Sequence, residues 1–169
     1  MIARAAYPAI EAAGSPMPDI AQIDTLVGEF FACFDNRDGR EPATAAMTRL
    51  FVAAAAISVH KAGTLELYSP GEFAAPRVQL LTGGTLVGFH EWELQASTRV
   101  LGPIATRVSA YAKAGRLDGV DFTGSGTKVF QFVKLDGHWR ILALSWFDST
   151  GGGAVADPAC APSGAVSVP

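Results

Sequence analysis

Residues 126–148 read GTKVFQFVKLDGHWRILALSWFD, a stretch that predicts two strands joined by a tight turn. Asp136-Gly137 is a strong signal for a two-residue hairpin loop, because a type I′ turn needs positive φ at both central positions. The flanking segments are rich in aromatic and β-branched residues, as strands usually are. We therefore predict that the fold closes with a long antiparallel hairpin.

Pairing across this turn divides the hairpin into two faces, since alternate residues of a strand point to opposite sides. One face would carry Phe130, Phe132, Trp139, Ile141, Ser145 and Phe147. The other would carry Val129, Gln131, Val133, Arg140, Leu142, Leu144, Trp146 and Asp148. We predict that the first, more aromatic face lines the interior. A register change of one residue would reverse this assignment.

Upstream of the hairpin the pattern is first helical. Asp19 and Gln22 match a capping box ahead of an apolar stripe at helical spacing. A second, shorter helix is expected near Pro42 and Thr44. A third is expected at Ser69-Pro70-Gly71-Glu72, which combines a capping hydroxyl, a proline at the first helical position and a box-closing glutamate.

The remaining segments predict strands. AISVHK and AGTLELY form a hairpin bent near Gly63, and TLVGFHEWELQAS and IATRVSAYAKA form another, bent at Leu101-Gly102-Pro103. GRLDGVDFTGSG, residues 115–126, is predicted to be a longer loop. Helices therefore precede an antiparallel meander, which predicts an α+β fold with the helices on one face of the sheet.

Composition limits the classes of function. The chain has 169 residues and a net charge of −3, so it offers no basic field for a nucleic acid. Two cysteines do not predict a disulfide framework, and no segment suits a signal peptide or a membrane span, so we predict a cytoplasmic protein. We divide the chain into a flexible segment 1–18, a folded domain 19–149 and a disordered, Gly/Ala/Pro-rich tail 150–169.

Three stretches resemble the nuclear-transport-factor-2-like, or SnoaL-like, cone superfamily: GEFFACFDNRDG, YSPGEFAAPR and the closing hairpin with its Trp-Arg-Ile strand. His138 stands where that superfamily often has glycine. The resemblance implies a strongly curved, mixed or antiparallel sheet wrapped around about three N-terminal helices, the cystatin-like cone, with a cavity inside. It is nearest to small bacterial SnoaL-like proteins that lack an assigned activity. Members of the superfamily include isomerases, dehydratases, cyclases and oligomerisation domains, so the resemblance does not fix an activity.

The candidate site residues lie mainly on the strands before the closing hairpin. Glu91 and Glu93 are candidate catalytic acids, since a carboxyl group between apolar walls can have a raised pKa and shuttle protons. Tyr111 could stabilise a developing enolate through a hydrogen bond. The predicted ligand pocket is formed by Trp92, Arg107, Tyr111, Phe130, Phe132 and Ser145.

A structural interpretation of the same residues stays open. Glu93 and Arg107 suit a cross-strand ion pair, and Tyr111 suits a core position. Asp148 is interpreted as a water-facing acid that ends its strand. The three histidines have no second ligand at useful spacing, so we predict neither a metal site nor any other cofactor.

Three functions follow as hypotheses. The first is a binding module that holds a small, largely apolar ligand in the cone. The second is a cofactor-independent isomerase, dehydratase or cyclase that uses a pocket carboxylate and Tyr111. The third is an assembly domain without a working pocket. Because 49% of the residues are hydrophobic and both hairpin faces are apolar, we also expect a homodimer formed through the outer face of the sheet.

Overall fold

The computed structural model of the protein describes residues 18–61 and 63–149, except for the side chain of Ala45. The predictions of a flexible start and a disordered tail concern segments that, apart from Pro18, lie outside the described residues. Within the described part, no helix is long and apolar enough to cross a membrane.

The described chain contains two α-helices, α1 (Asp19–Ala32) and α2 (Pro70–Thr82), and two 3₁₀ helices at Arg37–Gly39 and Thr44–Leu50. The helix predicted near Thr44 is thus a 3₁₀ segment rather than a third α-helix, and it runs directly into a strand at Phe51. Three α-helices are therefore not confirmed.

The two α-helices begin in different ways. Helix α2 has the predicted capping box, in which the Ser69 hydroxyl accepts from the Glu72 N–H and the Glu72 carboxylate accepts from the Ser69 N–H. Helix α1 lacks the predicted box because Pro18, not Asp19, is its N-cap. The Asp19 carboxylate instead accepts hydrogen bonds from Lys134 Nζ at 2.6 Å and Trp139 Nε1 at 3.1 Å. These bonds fasten the start of α1 to the closing hairpin.

In the described residues, six strands form one mixed sheet. They are β1 (Phe51–Lys61), β2 (Thr64–Tyr68), β3 (Leu86–Leu101), β4 (Ile104–Leu117), β5 (Val120–Leu135) and β6 (His138–Asp148). Their order is β2-β1-β6-β5-β4-β3, and every neighbouring pair is antiparallel except β1 and β6, which are parallel. The sheet is open, with β2 and β3 at its edges.

Two Asp-Gly turns shape the long hairpins. Asp136-Gly137 joins β5 to β6 as predicted, with φ of 50° and 81°. Asp118-Gly119 joins β4 to β5 with nearly the same angles, 48° and 81°. The prediction of a long loop over residues 115–126 was therefore wrong. The same type of turn signal lies there, and the glycines that follow it belong to β5.

A β-bulge at Leu142 changes which residues of β6 face inward. Phe132 pairs with Ile141 and Gln131 pairs with Ala143, so Leu142 is the extra residue. Trp139 and Ile141 point inward as predicted, but beyond the bulge Leu144 and Trp146 are the buried residues. The predicted inward positions of Ser145 and Phe147 were wrong, since both side chains are exposed on the outer face.

The inner face of the sheet packs against the helices through an aromatic core. The ring of Phe30 on α1 makes edge contacts with the rings of Phe34, Phe51 and Phe130. Asn36, just after α1, ties three elements together: its side chain donates to the carbonyls of Leu81 and Leu86 and accepts from the Phe89 N–H. The end of α2 and the start of β3 are thereby held side by side.

Candidate functional site

A small cavity lies between α2, the end of α1 and the inner face of β3 to β6. Its free volume is about 30 Å³, close to the space that one water molecule occupies in the liquid. Most of its wall is apolar and consists of Phe30, Phe34, Phe73, Leu80, Leu81, Leu86, Phe89, Phe122 and Trp146. A ligand larger than water must therefore displace some of these side chains.

Charged side chains complete the wall: Arg77 from α2, Glu91 from β3, Lys113 from β4 and Lys128 from β5. Each strand residue occupies an inward-facing position of its strand. Lys128 Nζ lies 3.3 Å from Glu91 Oε2, and Lys113 Nζ donates to Asp148 Oδ2 at 2.9 Å. The Tyr111 hydroxyl donates a short hydrogen bond to Asp148 Oδ1. We call Glu91, Tyr111, Lys113, Lys128 and Asp148 the Lys128 cluster.

Lys128 is the most deeply placed cation of this cluster. Its side chain is only 4% exposed, and its Nζ lies 3.9 Å from the centre of the Tyr111 ring and 5.0 Å from that of Trp146. Burial lowers the pKa of the Lys128 amine below the ordinary lysine value, although the Glu91 carboxylate favours the charged form. The amine thus titrates closer to neutrality than a surface lysine does.

Two strand glycines make room for the cluster. A Cβ on Gly126 would lie 2.2 Å from the Phe147 carbonyl oxygen and 2.9 Å from the Tyr111 ring. A Cβ on Gly124 would lie 3.0 Å from Cε of Lys113. Because residues 123–126 (Thr-Gly-Ser-Gly) include two glycines, side chains of the neighbouring strand have room to pack over β5.

A third cationic side chain, from α2, lies at the wall of the cavity. Arg77 on α2 places its guanidinium 3.4 Å from the centre of the Phe73 ring and donates to the Phe73 carbonyl at 2.9 Å. Arg77, Lys113 and Lys128 thus bring three cationic side chains to an otherwise largely apolar wall.

A second polar group, which we call the Arg107 cluster, lies elsewhere on the inner face. Arg107 contacts both carboxylate oxygens of Glu93, Asp24 Oδ1 at 2.6 Å and Thr98 Oγ1 at 2.8 Å. The Ser109 hydroxyl also donates to Glu93 at 2.5 Å. Burial raises the pKa of Glu93, but the hydrogen bonds from Arg107 and Ser109 outweigh burial and hold that pKa below the ordinary value. Glu93 is thus a stable carboxylate in an ion pair, unsuited to donating protons near neutrality.

The predicted site residues lie in several places. Of the two proposed acids, Glu91 lines the cavity, and the ring of Tyr111 contacts the Lys128 ammonium behind the wall residues. Phe130 and Phe132 are stacked in the core, and Trp92 is stacked on His90 and is 39% exposed. Ser145 lies on the outer face, where its Oγ is 2.6 Å from Ser58 Oγ. Contact of any of these residues with a ligand stays a prediction.

Lys113, Lys128, Trp146 and Arg77 were not among the predicted site residues. Asp148 was interpreted as a water-facing acid, but it is bonded to Tyr111 and Lys113 and its side chain is only 25% exposed. One feature of the sequence does indicate that Lys128 is buried. It alternates with Phe130 and Phe132 along its strand, so it lies on the face that is predicted to point inward. Within the described residues, no group of three or more His, Cys, Asp or Glu side chains could hold a metal ion.

Comparison with known proteins shows similarity in structure alone. No family model matches the chain, and no curated protein matches its sequence. A structure from Xanthomonas campestris called a "Putative calcium/calmodulin dependent protein kinase II association domain" is 13% identical, with a TM-score of 0.61 over 86% of this chain and 99% of that one. An NTF2-like protein with a cystatin-like fold from Novosphingobium aromaticivorans is 16% identical, with a TM-score of 0.60 over 80% of this chain and 84% of that one.

The chain has the NTF2-like, cystatin-like fold. The hexachlorocyclohexane dehydrochlorinase LinA-type3 of Novosphingobium barchaimii has it too, at 16% identity and a TM-score of 0.61 over 77% of this chain and 86% of that one. An association domain and a dehydrochlorinase thus share one cystatin-like architecture, and the function must be argued from this chain's own residues.

Proposed function

We propose that the protein is a binding module that holds a small, largely apolar molecule in the cone, with one anionic or electron-rich group of the molecule against the Lys128 cluster. The observation that carries this proposal is the placement of two lysines at the wall of an otherwise apolar cavity. The cavity is water-sized, so the ligand has a short chain and enters by displacing wall side chains.

Buried charges such as those of Lys128 and Glu91 are costly to the fold. Removing an ion pair from water costs several kcal/mol per ion, and an apolar replacement is often as stable or more so. The fold alone would therefore be served as well by leucine at Lys128 and Glu91. Because this buried ion pair costs stability and lies beside free space, we expect it to take part in ligand binding or in a reaction.

The test is a binding measurement with short straight-chain carboxylates, from propanoate to hexanoate, and the matching alcohols. Trp146 lines the cavity, so tryptophan fluorescence should change on binding, and the melting temperature should rise. The variant Leu80→Trp should abolish binding by filling the cavity. Leu135→Trp, at an exposed position beside the β5–β6 turn, is the matched control. Equal binding by the two variants would show that the ligand sits elsewhere.

The second candidate function is a cofactor-independent dehydratase, and the position of Glu91 on the cavity wall favours it. The dehydrochlorinase among the similar structures, by its name an elimination enzyme, agrees with such chemistry in this fold. Glu93 is not the proposed acid, because it does not line the cavity and both of its carboxylate oxygens are bound by Arg107 and Ser109. A suitable probe is water loss from 4-hydroxy-2-butanone, followed by the absorbance of the conjugated enone. Glu91→Gln should abolish the reaction and Glu93→Gln should retain it; equal loss in both would rule out Glu91 as the acid.

A further inference from the structure

Lys128 stands out among the lysines of the described chain by its surroundings. It combines near-complete burial, an aromatic environment of Tyr111 and Trp146, and a place on the wall of a cavity. Lys134, by comparison, is 29% exposed and pairs with Asp19 on the surface. Lys113 is also buried, but its ammonium is held by the Asp148 carboxylate at 2.9 Å.

The partner of Lys128 is placed to exchange a proton with it. Glu91 Oε2 is 3.3 Å from Lys128 Nζ, and Glu91 lines the same cavity. Transfer of one proton from the ammonium to the carboxylate gives a neutral amine beside a carboxylic acid. No net charge is created by this step, so the apolar wall opposes it less than it opposes the separated ions.

We propose that Lys128 is a nucleophilic amine that captures short aliphatic aldehydes and ketones as an imine, with Glu91 as the proton carrier. This inference rests on the proposed function, because the carbonyl compound would occupy the same cavity. It specifies the class of ligand, a short apolar chain that ends in a carbonyl group.

The chemistry balances as follows. The neutral Lys128 amine attacks the carbonyl carbon, so that a C–N bond forms and the carbonyl π electrons move to oxygen. That oxygen takes a proton, which the nitrogen loses, and a carbinolamine results. Glu91 then donates its proton to the hydroxyl group, water leaves, and nitrogen's lone pair forms the C=N bond. The product iminium returns a proton to Glu91 on becoming the neutral imine; overall, an amine and a carbonyl give an imine and one water.

The test traps the imine in the full wild-type chain. Propanal, pyruvate and propanoate are each incubated with the protein and sodium cyanoborohydride, and adducts are located by peptide mass spectrometry. We expect propanal and pyruvate to modify Lys128, to saturate at one adduct per chain, and to leave Lys113 and Lys134 almost unmodified. Because the mapping uses the wild type, it does not depend on the folding of a variant. Adducts spread over exposed lysines and the N-terminal amine, with Lys128 unmodified, would overturn the proposal.

Variants and the non-carbonyl probe separate the two proposals. Lys128→Arg keeps the positive charge but has no nucleophilic amine, so the adduct should be lost while the fold, checked by circular dichroism, is retained. Lys134→Met should label as the wild type does. If propanoate binds with a fluorescence change but neither carbonyl compound is trapped at Lys128, the amine proposal fails and the binding function stands. If propanoate and the carbonyl compounds all fail to bind, both proposals fail.

Discussion

At the scale of single residues, the buried ion pair of Lys128 and Glu91 is the feature with the largest expected effect on stability. The amine is enclosed by aromatic rings, and its main charged partner lies 3.3 Å away. Breaking such a pair leaves one uncompensated charge in a place that water reaches poorly. Replacing both members removes both charges, so that no uncompensated charge is left buried.

We therefore predict a marked difference between single and double substitution. Lys128→Met should lower the free energy of unfolding by about 3 kcal/mol, because Glu91 is left buried without its cation. The double variant Lys128→Met/Glu91→Leu should regain most of that loss. Lys134→Met, which removes a partly exposed pair with Asp19, should cost less than about 1 kcal/mol. Urea unfolding measures all three, and a double variant as unstable as Lys128→Met would contradict the argument.

The Arg107 cluster predicts a dependence of stability on acid. Glu93 has a lowered pKa in the folded protein, so below its ordinary pKa of about 4.3 the unfolded chain takes up the proton first. The contribution of Glu93 is thus complete above about pH 4.3 and is lost as the pH falls through the folded-state pKa. Stability should fall more steeply with acid in the wild type than in Glu93→Gln, as urea unfolding between about pH 6 and pH 3 would show. Parallel curves for the two proteins would refute this account.

Sequence reasoning reached only part of these two clusters. The cross-strand ion pair expected of Glu93 and Arg107 is present, on the two strands joined by the bend at Leu101-Gly102-Pro103. Lys113 and Lys128 were overlooked because a lysine in a strand is expected to face water. The one local indication is that Lys128 alternates with Phe130 and Phe132 along its strand. Their burial depends on glycines in β5 and on partners that are distant in the chain.

At the scale of elements, the strand glycines define where β5 can pack. Gly126 lies where a Cβ would meet the backbone of Phe147 at 2.2 Å, a separation that the strand cannot tolerate without moving. Gly28, on the exposed side of α1, would meet nothing within 4 Å. A Cβ is therefore excluded at Gly126 in β5 but accommodated at Gly28 in α1.

The corresponding prediction is a pair of alanine substitutions with opposite signs. Gly126→Ala should destabilise the protein severely, because β6 must shift away from β5 and Tyr111 must give up its position. Gly28→Ala should raise the free energy of unfolding by about 0.5–1 kcal/mol, since alanine has the higher helix propensity and the site is open. Thermal and urea unfolding measure both. Equal effects at the two sites would mean that the tight contacts of Gly126 do not limit packing.

The elements themselves were only partly predictable. The cap of α2 and the turn at Asp136-Gly137 rest on local chemistry, and both are confirmed. The turn at Asp118-Gly119 was hidden among other glycines, which normally indicate a loop. The segment Thr44–Leu50 carries apolar residues at helical spacing, but seven residues are too few for that pattern to separate a 3₁₀ helix from an α-helix.

At the scale of the whole molecule, the outer face of the sheet exposes apolar side chains that the packing of the chain itself does not cover. Val108, Leu142 and Phe147 are each between 39% and 47% exposed there, on β4 and β6. The register places Val108 and Phe147 on nearby rows of that face, through Val129 and Thr127 of β5. We propose that a second copy of the chain covers this face, as the apolar composition also suggests.

This proposal predicts a dimer that charge can dissociate. Sedimentation velocity should show a dimer for the wild type and a monomer for Val108→Glu/Phe147→Glu, because each glutamate would have to be buried unpaired at the interface. Val120→Glu, at the exposed β4–β5 turn, adds the same charge away from this face and should stay dimeric. A monomeric wild type at micromolar concentration would refute the proposal.

The bulge at Leu142 has a consequence for how such a protein diversifies. The partners of Ile141 and Ala143 are the consecutive residues Phe132 and Gln131, so an in-frame loss of the Leu142 codon would leave a regular strand with Leu144, Trp146 and Asp148 still facing inward. Tyr111 and Lys113 would keep their shared carboxylate. An inserted residue that no bulge absorbs would instead exchange the two faces of the rest of the strand and act as several simultaneous substitutions. Which side chains of β6 face the interior thus depends on the length of the strand as well as on its composition.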